Sequence, residues 1–144
     1  MRNLLLWLVL SFVFTGFGYA QDLRPLRWEN RVLLLFTDSL MHPQYQKMEE
    51  ALLTEDEAVE ARKLVVYTIM GRKVSRGLPA ETWQDDLPLR EASQNLRKGF
   101  GLELIGLDGG VKYRSTSAVS LQELWSLIDG MPMRRAELKN QGWP

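Results

Sequence analysis

Two nearly continuous apolar runs, Arg31–Thr37 (RVLLLFT) and Lys63–Met70 (KLVVYTIM), constrain this chain more than any other feature. A strand with one solvated face alternates apolar and polar residues, so runs without alternation predict strands buried on both faces. Between them, Pro43 stands where a helix's first turn tolerates it, and Tyr45, Met48, Leu52 and Leu53 recur at helical spacing. Thr54 and Glu57 have the spacing of a capping box that restarts a short helix. Two buried strands joined by a helix run parallel through a right-handed crossover.

The remaining elements follow from local signals. Leu23–Asn30, with Arg24, Pro25, Arg27 and Trp28, reads as a lead-in that packs its tryptophan on the domain. Gly71–Asp86 reads as a long exposed loop, and Asp86 caps a helix that runs to about Lys98 and stops at Gly99. Leu102–Leu107 is a third strand. Asp108-Gly109-Gly110 signals a hairpin, because Asp and Gly accept the positive φ such turns require, and Val111–Arg114 returns antiparallel. Ser120 and Glu123 form a capping box for a helix carrying Leu121, Leu124, Trp125 and Ile128 to Gly130. Pro132 starts a short helix within Met131–Gln141. The order β-α-β-α-β-β-α predicts a thioredoxin-like α/β sandwich, with helices on both faces of a mixed four-stranded sheet and a short C-terminal extra helix.

The ends and the composition limit the function classes. Residues 1–20 combine Arg2, the apolar run Leu4–Phe14 and the small-residue stretch Gly18-Tyr19-Ala20, the pattern of a cleaved signal peptide. The run is shorter than the roughly 20 apolar residues that span a bilayer. The expected product is an exported single domain, residues 21–144, periplasmic or secreted, without a stable membrane span. Without Arg2, 17 basic and 18 acidic side chains remain. That balance argues against nucleic acid as a partner, which calls for a strongly basic domain or stripe. The chain has no cysteine, which excludes disulfides, thiol–disulfide exchange and thiolate catalysis.

In a thioredoxin-like fold, redox chemistry sits where the first core strand meets the next helix. Here that junction is Thr37–Pro43, which has no cysteine, and Lys98–Gly101 before the third strand lacks a proline. Asp38, Ser39 and His42 are the residues there with hydrolytic chemistry, since a His can act as base for a Ser. In a turn, the same residue types bind local backbone groups instead. One His and scattered carboxylates offer no metal-ligand pattern, and no cofactor is implied. Lys112 and Arg114 on the hairpin, with Arg134 and Arg135 after the last helix, are candidates for binding an anionic ligand or partner. The competing role is a clamp, in which one arginine pairs with Asp129 or Glu137 and fastens the C-terminal piece to the sheet. Arg72, Lys73, Arg76 and Trp83 offer a possible recognition surface in the long loop.

Four blocks resemble a bacterial family of exported proteins of unknown function, grouped with the P-DUDES domains of vertebrate extracellular-matrix and sushi-repeat proteins. They are Trp28–Leu33, Arg62–Val66, Ile105–Lys112 and Ile128–Arg135, and the resemblance spans roughly Leu23 to Glu137. It implies a thioredoxin-like fold and no established activity. It also favours a non-enzymatic module that binds a partner protein or an envelope or matrix polymer. The alternative is a non-thiol enzyme using the Asp38–His42 junction.

Overall fold

Every residue of the first strand, β1 (Arg31–Thr37), is buried, as its unbroken apolar run requires. Leu33 and Leu35 face one side of the sheet, and Val32, Leu34 and Phe36 face the other. The structure, a computed structural model, describes residues 23–85 and 99–142. A 3-10 turn at Arg24–Leu26 precedes β1. After it come α1 (Pro43–Thr54), α2 (Asp56–Ala61), β2 (Leu64–Met70), β3 (Lys73–Arg76) and β4 (Trp83–Asp85). Then follow β5 (Phe100–Ile105), β6 (Val111–Ser115), α3 (Leu121–Asp129) and α4 (Pro132–Asn140).

The described strands form one six-stranded sheet in the order β4-β3-β2-β1-β5-β6. β1 runs parallel to β2, from Arg31 opposite Leu64 to Phe36 opposite Ile69, as the helical crossover demands. Its other edge pairs antiparallel with β5, from Val32 opposite Ile105 to Thr37 opposite Phe100. The β5–β6 hairpin turns on Gly109 at φ 81°, with the Gly110 N–H donating to Asp108 Oδ1 at 2.9 Å.

The expected four-stranded sheet is too small. The segment read as a loop folds back beside β2 as β3, with Ile69 opposite Val74, and β4 then pairs with β3. Gly71 at φ 60° makes the reversal, and Val74 and Ser75 are both buried. The signal was hidden because a single apolar residue, Val74, marks a strand otherwise written in Lys, Ser and Arg.

α1 and α3 cover one face. Tyr45, Met48 and Leu52 from α1 meet Leu121, Leu124 and Ile128 from α3 over Leu33, Leu35, Leu102 and Leu104. Leu53, the fourth member of the expected stripe, falls off it and is exposed. α2 does restart after α1, but Thr54 Oγ1 donates back to Glu50 O at 2.8 Å, so the expected capping box does not form. Ser120 does cap α3, accepting the Glu123 N–H at 3.2 Å, while the Glu123 carboxylate takes the Tyr113 hydroxyl at 2.9 Å.

On the opposite face Val32, Leu34, Phe36, Tyr67, Ile69, Val74 and Ile105 form a second cluster, against which Leu23 and Leu26 pack. The helix expected at Asp86–Lys98 and the signal peptide at residues 1–20 lie outside the described residues. Among the described residues, no helix is long and apolar enough to cross a membrane.

Candidate functional site

The turn at the C-terminal end of β1 holds Asp38, Ser39 and His42, yet spends the polar groups of Ser39 and His42 locally. Thr37 Oγ1 donates to Ser39 O at 2.7 Å, and Ser39 Oγ accepts the Met41 N–H at 3.1 Å. His42 is the N-cap of α1, its Nδ1 accepting the Gln44 N–H at 3.3 Å. An accepting Nδ1 places the proton of the neutral ring on Nε2, so the lone pair a general base needs is committed to the helix. The ring also stacks on Phe100, with centroids 6.1 Å apart. No Ser39–His42 side-chain hydrogen bond exists among the described residues, and Asp38 faces solvent. His42→Ala should therefore cost about 1 kcal/mol of stability in urea unfolding, the usual value of an N-cap, whereas His42→Asn should restore most of it.

At the N-terminal end of β1, roughly 20 Å away by strand rise, three arginines converge on two carboxylates. The fully buried Arg31 donates through Nη1 to Arg62 O at 2.9 Å and through Nη2 to Glu137 Oε1 at 3.3 Å. Arg62 grips Asp129 with two bonds, 3.1 Å from Nε and 2.7 Å from Nη2, and its guanidinium lies 4.6 Å over the Trp125 ring. Buried Arg134 reaches Asp129 Oδ1 at 3.3 Å, Glu137 Oε2 at 3.1 Å and the Ala61 carbonyl at 2.9 Å. Arg134 is also the one buried residue of α4, so the network rather than an apolar face docks this helix. Burial pushes the Glu137 carboxyl upward, but hydrogen bonds from Arg134 and Arg31, with the charges of Arg31 and Lys63, hold it below its ordinary value.

The other expected basic residues divide by exposure and pairing. Lys112 pairs with Asp108 at 2.7 Å across the hairpin turn. Arg114 is exposed and neutralises the buried Glu103 opposite it at 2.8 Å. Arg135 is exposed, and its side chain makes no hydrogen bond or ion pair among the described residues. Arg72, Lys73 and Arg76 are exposed, and Trp83 is half-buried on β4. The buried Tyr45 hydroxyl sits 3.1 Å from Thr68 Oγ1 and 3.0 Å from Glu49 Oε1. Burial, opposed by the Thr68 bond and reinforced by Glu49, pushes its phenol up to about 12, out of range for proton transfer near neutral pH.

One surface feature overturns the expected lead-in. Leu23 and Leu26, not Trp28, pack against the sheet, and Trp28 is 55% exposed. Trp28 holds φ 70°, a left-handed conformation costing about 1–3 kcal/mol for such a residue. Its N–H is fixed to Leu107 O at 2.6 Å. The Arg27 guanidinium lies 5.3 Å over the indole, and the Arg27 stem runs beside Gly109, where a Cβ would come within 3.5 Å of it. Arg27 borders an open cleft of about 410 Å³ lined in part by Leu23, Leu26, Val32 and Ile105. No local sequence rule separates an exposed tryptophan from a buried one here; the φ angle decides it.

A family model described as a domain of unknown function (DUF4174) matches residues 22–137. No curated protein matches the chain. Among solved structures, the chain is similar to the reduced 2-Cys peroxiredoxin of Plasmodium vivax, at TM-score 0.57 and 14% identity over 80% of this chain and 83% of that one. It is also similar to thioredoxin peroxidase I of Plasmodium yoelii, at 0.54 and 14% over 79% of each chain. The mitochondrial 2-Cys peroxiredoxin of Plasmodium falciparum matches at 0.53 and 17% over 85% of each. At these identities the likeness carries the thioredoxin-like fold alone. With no cysteine, this chain has no thiol-based catalysis.

Proposed function

The chain belongs to the family described as a domain of unknown function (DUF4174), and from its own residues we propose that it is an exported, redox-silent thioredoxin-like module that works by binding. The partner class is a protein or an envelope or matrix polymer. The observation that carries this reading is the strand–helix junction, the place where such a fold supports chemistry. There Ser39 Oγ and His42 Nδ1 are both taken up by backbone N–H groups. Residues 1–20 support export, and the resemblance to matrix-associated P-DUDES domains supports an extracytoplasmic partner, periplasmic or secreted. Arg135, exposed and unpaired among the described residues, is the expected basic residue best placed to contact it. Lys112 and Arg114 lie on the same protein with their charges already engaged.

A photo-crosslinking residue placed at position 135 or 28 of the full chain, expressed in its own cells, tests the reading. One reproducible macromolecular adduct is the expected result. The enzyme alternative requires His42, so a turnover that His42→Ala abolishes, with no adduct at either position, would replace the binding module with an enzyme.

A further inference from the structure

We propose that the cleft beside Arg27 and Trp28 docks a partner polypeptide through an apolar side chain immediately next to an aspartate or glutamate. This rests on the binding-module reading and names the kind of partner. Asp108, at the cleft's edge, is neutralised by Lys112 at 2.7 Å. Arg27 has no carboxylate partner among the described residues. Among the described residues its guanidinium therefore leaves a positive charge uncompensated at the rim, and a planar guanidinium suits a carboxylate.

That charge is also held in place. The indole backs it at 5.3 Å, and its stem passes beside the Gly109 turn. A side chain positioned before binding loses less freedom when it binds. Trp28 adds an exposed aromatic surface kept outward by a backbone conformation that tryptophan ordinarily avoids. Such conformations persist where surrounding structure enforces them, and Trp and Arg dominate binding energy at interfaces. The cleft itself, about 410 Å³, is lined by Leu23, Leu26, Val32 and Ile105 beside the polar Asn30 and Asp108. Its aliphatic residues offer an apolar side chain a contact that a hydroxyl-covered sugar does not match, which sets a polypeptide ahead of an acidic polysaccharide.

A random heptapeptide library displayed on phage and selected against the immobilised full chain tests the assignment. Selected peptides should be enriched in Asp or Glu directly beside Leu, Ile, Val, Phe or Met. A synthetic copy of the most enriched peptide should bind at least tenfold more weakly to Arg27→Glu and severalfold more weakly to Trp28→Gly. Trp28→Gly should keep its thermal midpoint, since glycine accepts φ 70°, so the loss reads as lost contact rather than unfolding. If Arg27→Glu fails to fold, Arg27→Gln provides the same comparison. Absence of enrichment, enrichment without acidic residues, or unchanged affinity in the Arg27 variants overturns the proposal. So does polygalacturonate that binds at this cleft and displaces the peptide. Where those failures accompany a partner adduct at position 135, the binding module stands and only this cleft assignment is lost; with no adduct either, both fall.

Discussion

Glu137→Ala should destabilise the protein by about 3–5 kcal/mol, the range for removing one partner of a buried ion pair. The carboxylate faces Arg31 from β1 and Arg134 from its own helix, and its loss leaves buried Arg134 with Asp129 and buried Arg31 with no carboxylate among the described residues. Arg31 bears the larger loss: it is fully buried and its Nε already lacks a partner among the described residues. Urea unfolding at neutral pH measures the effect. The same residue sets an acid limit. Because the folded carboxyl titrates below its ordinary value of 4.5, its contribution is fully present above that pH. The contribution disappears as pH falls through the lower folded value. The wild-type midpoint should therefore drop below pH 4.5 more steeply than that of Glu137→Ala.

Arg134→Glu and Arg135→Glu should differ sharply although the residues are adjacent. Arg134→Glu places a third carboxylate against Asp129 and Glu137 and abandons the Ala61 carbonyl, so a loss of about 3 kcal/mol or more is expected. Arg135 is solvated, and Arg135→Glu should stay within about 0.5 kcal/mol. Thermal unfolding of the two variants checks this, and equal losses would contradict the network described for α4.

The contrast between those neighbours shows which parts of the molecule are legible in sequence. Glu137 stands three residues after Arg134 and Asp129 five before it, so an arginine clamp is readable from spacing. Arg31 is not, because its carboxylate lies 106 residues away and an arginine heading an apolar strand reads as a boundary. β1, β2 and the Asp108–Gly110 turn are legible because burial on both faces and positive φ leave local signatures. β3 leaves almost none: Lys73, Ser75 and Arg76 give no alternation, and β2 supplies the pairing that makes them a strand. The thioredoxin-like fold thus survives while the strand number does not. At the junction, the residue types in Thr37–Pro43 were visible, but only geometry shows His42 Nδ1 facing the Gln44 N–H rather than Ser39. Trp28 is the inverse case, a residue expected to pack on the domain that the backbone turns outward.

The central claim is that the fold's usual chemical position has become structural while the surface does the work. Photo-crosslinking of the full chain in its own cells, compared between wild type and His42→Asn, tests it most directly. The account predicts one macromolecular adduct formed in equal yield by both, because Asn preserves the cap and binding does not use the imidazole. A yield that collapses in His42→Asn despite intact folding, or a small-molecule adduct on His42 in place of a macromolecular one, would contradict it.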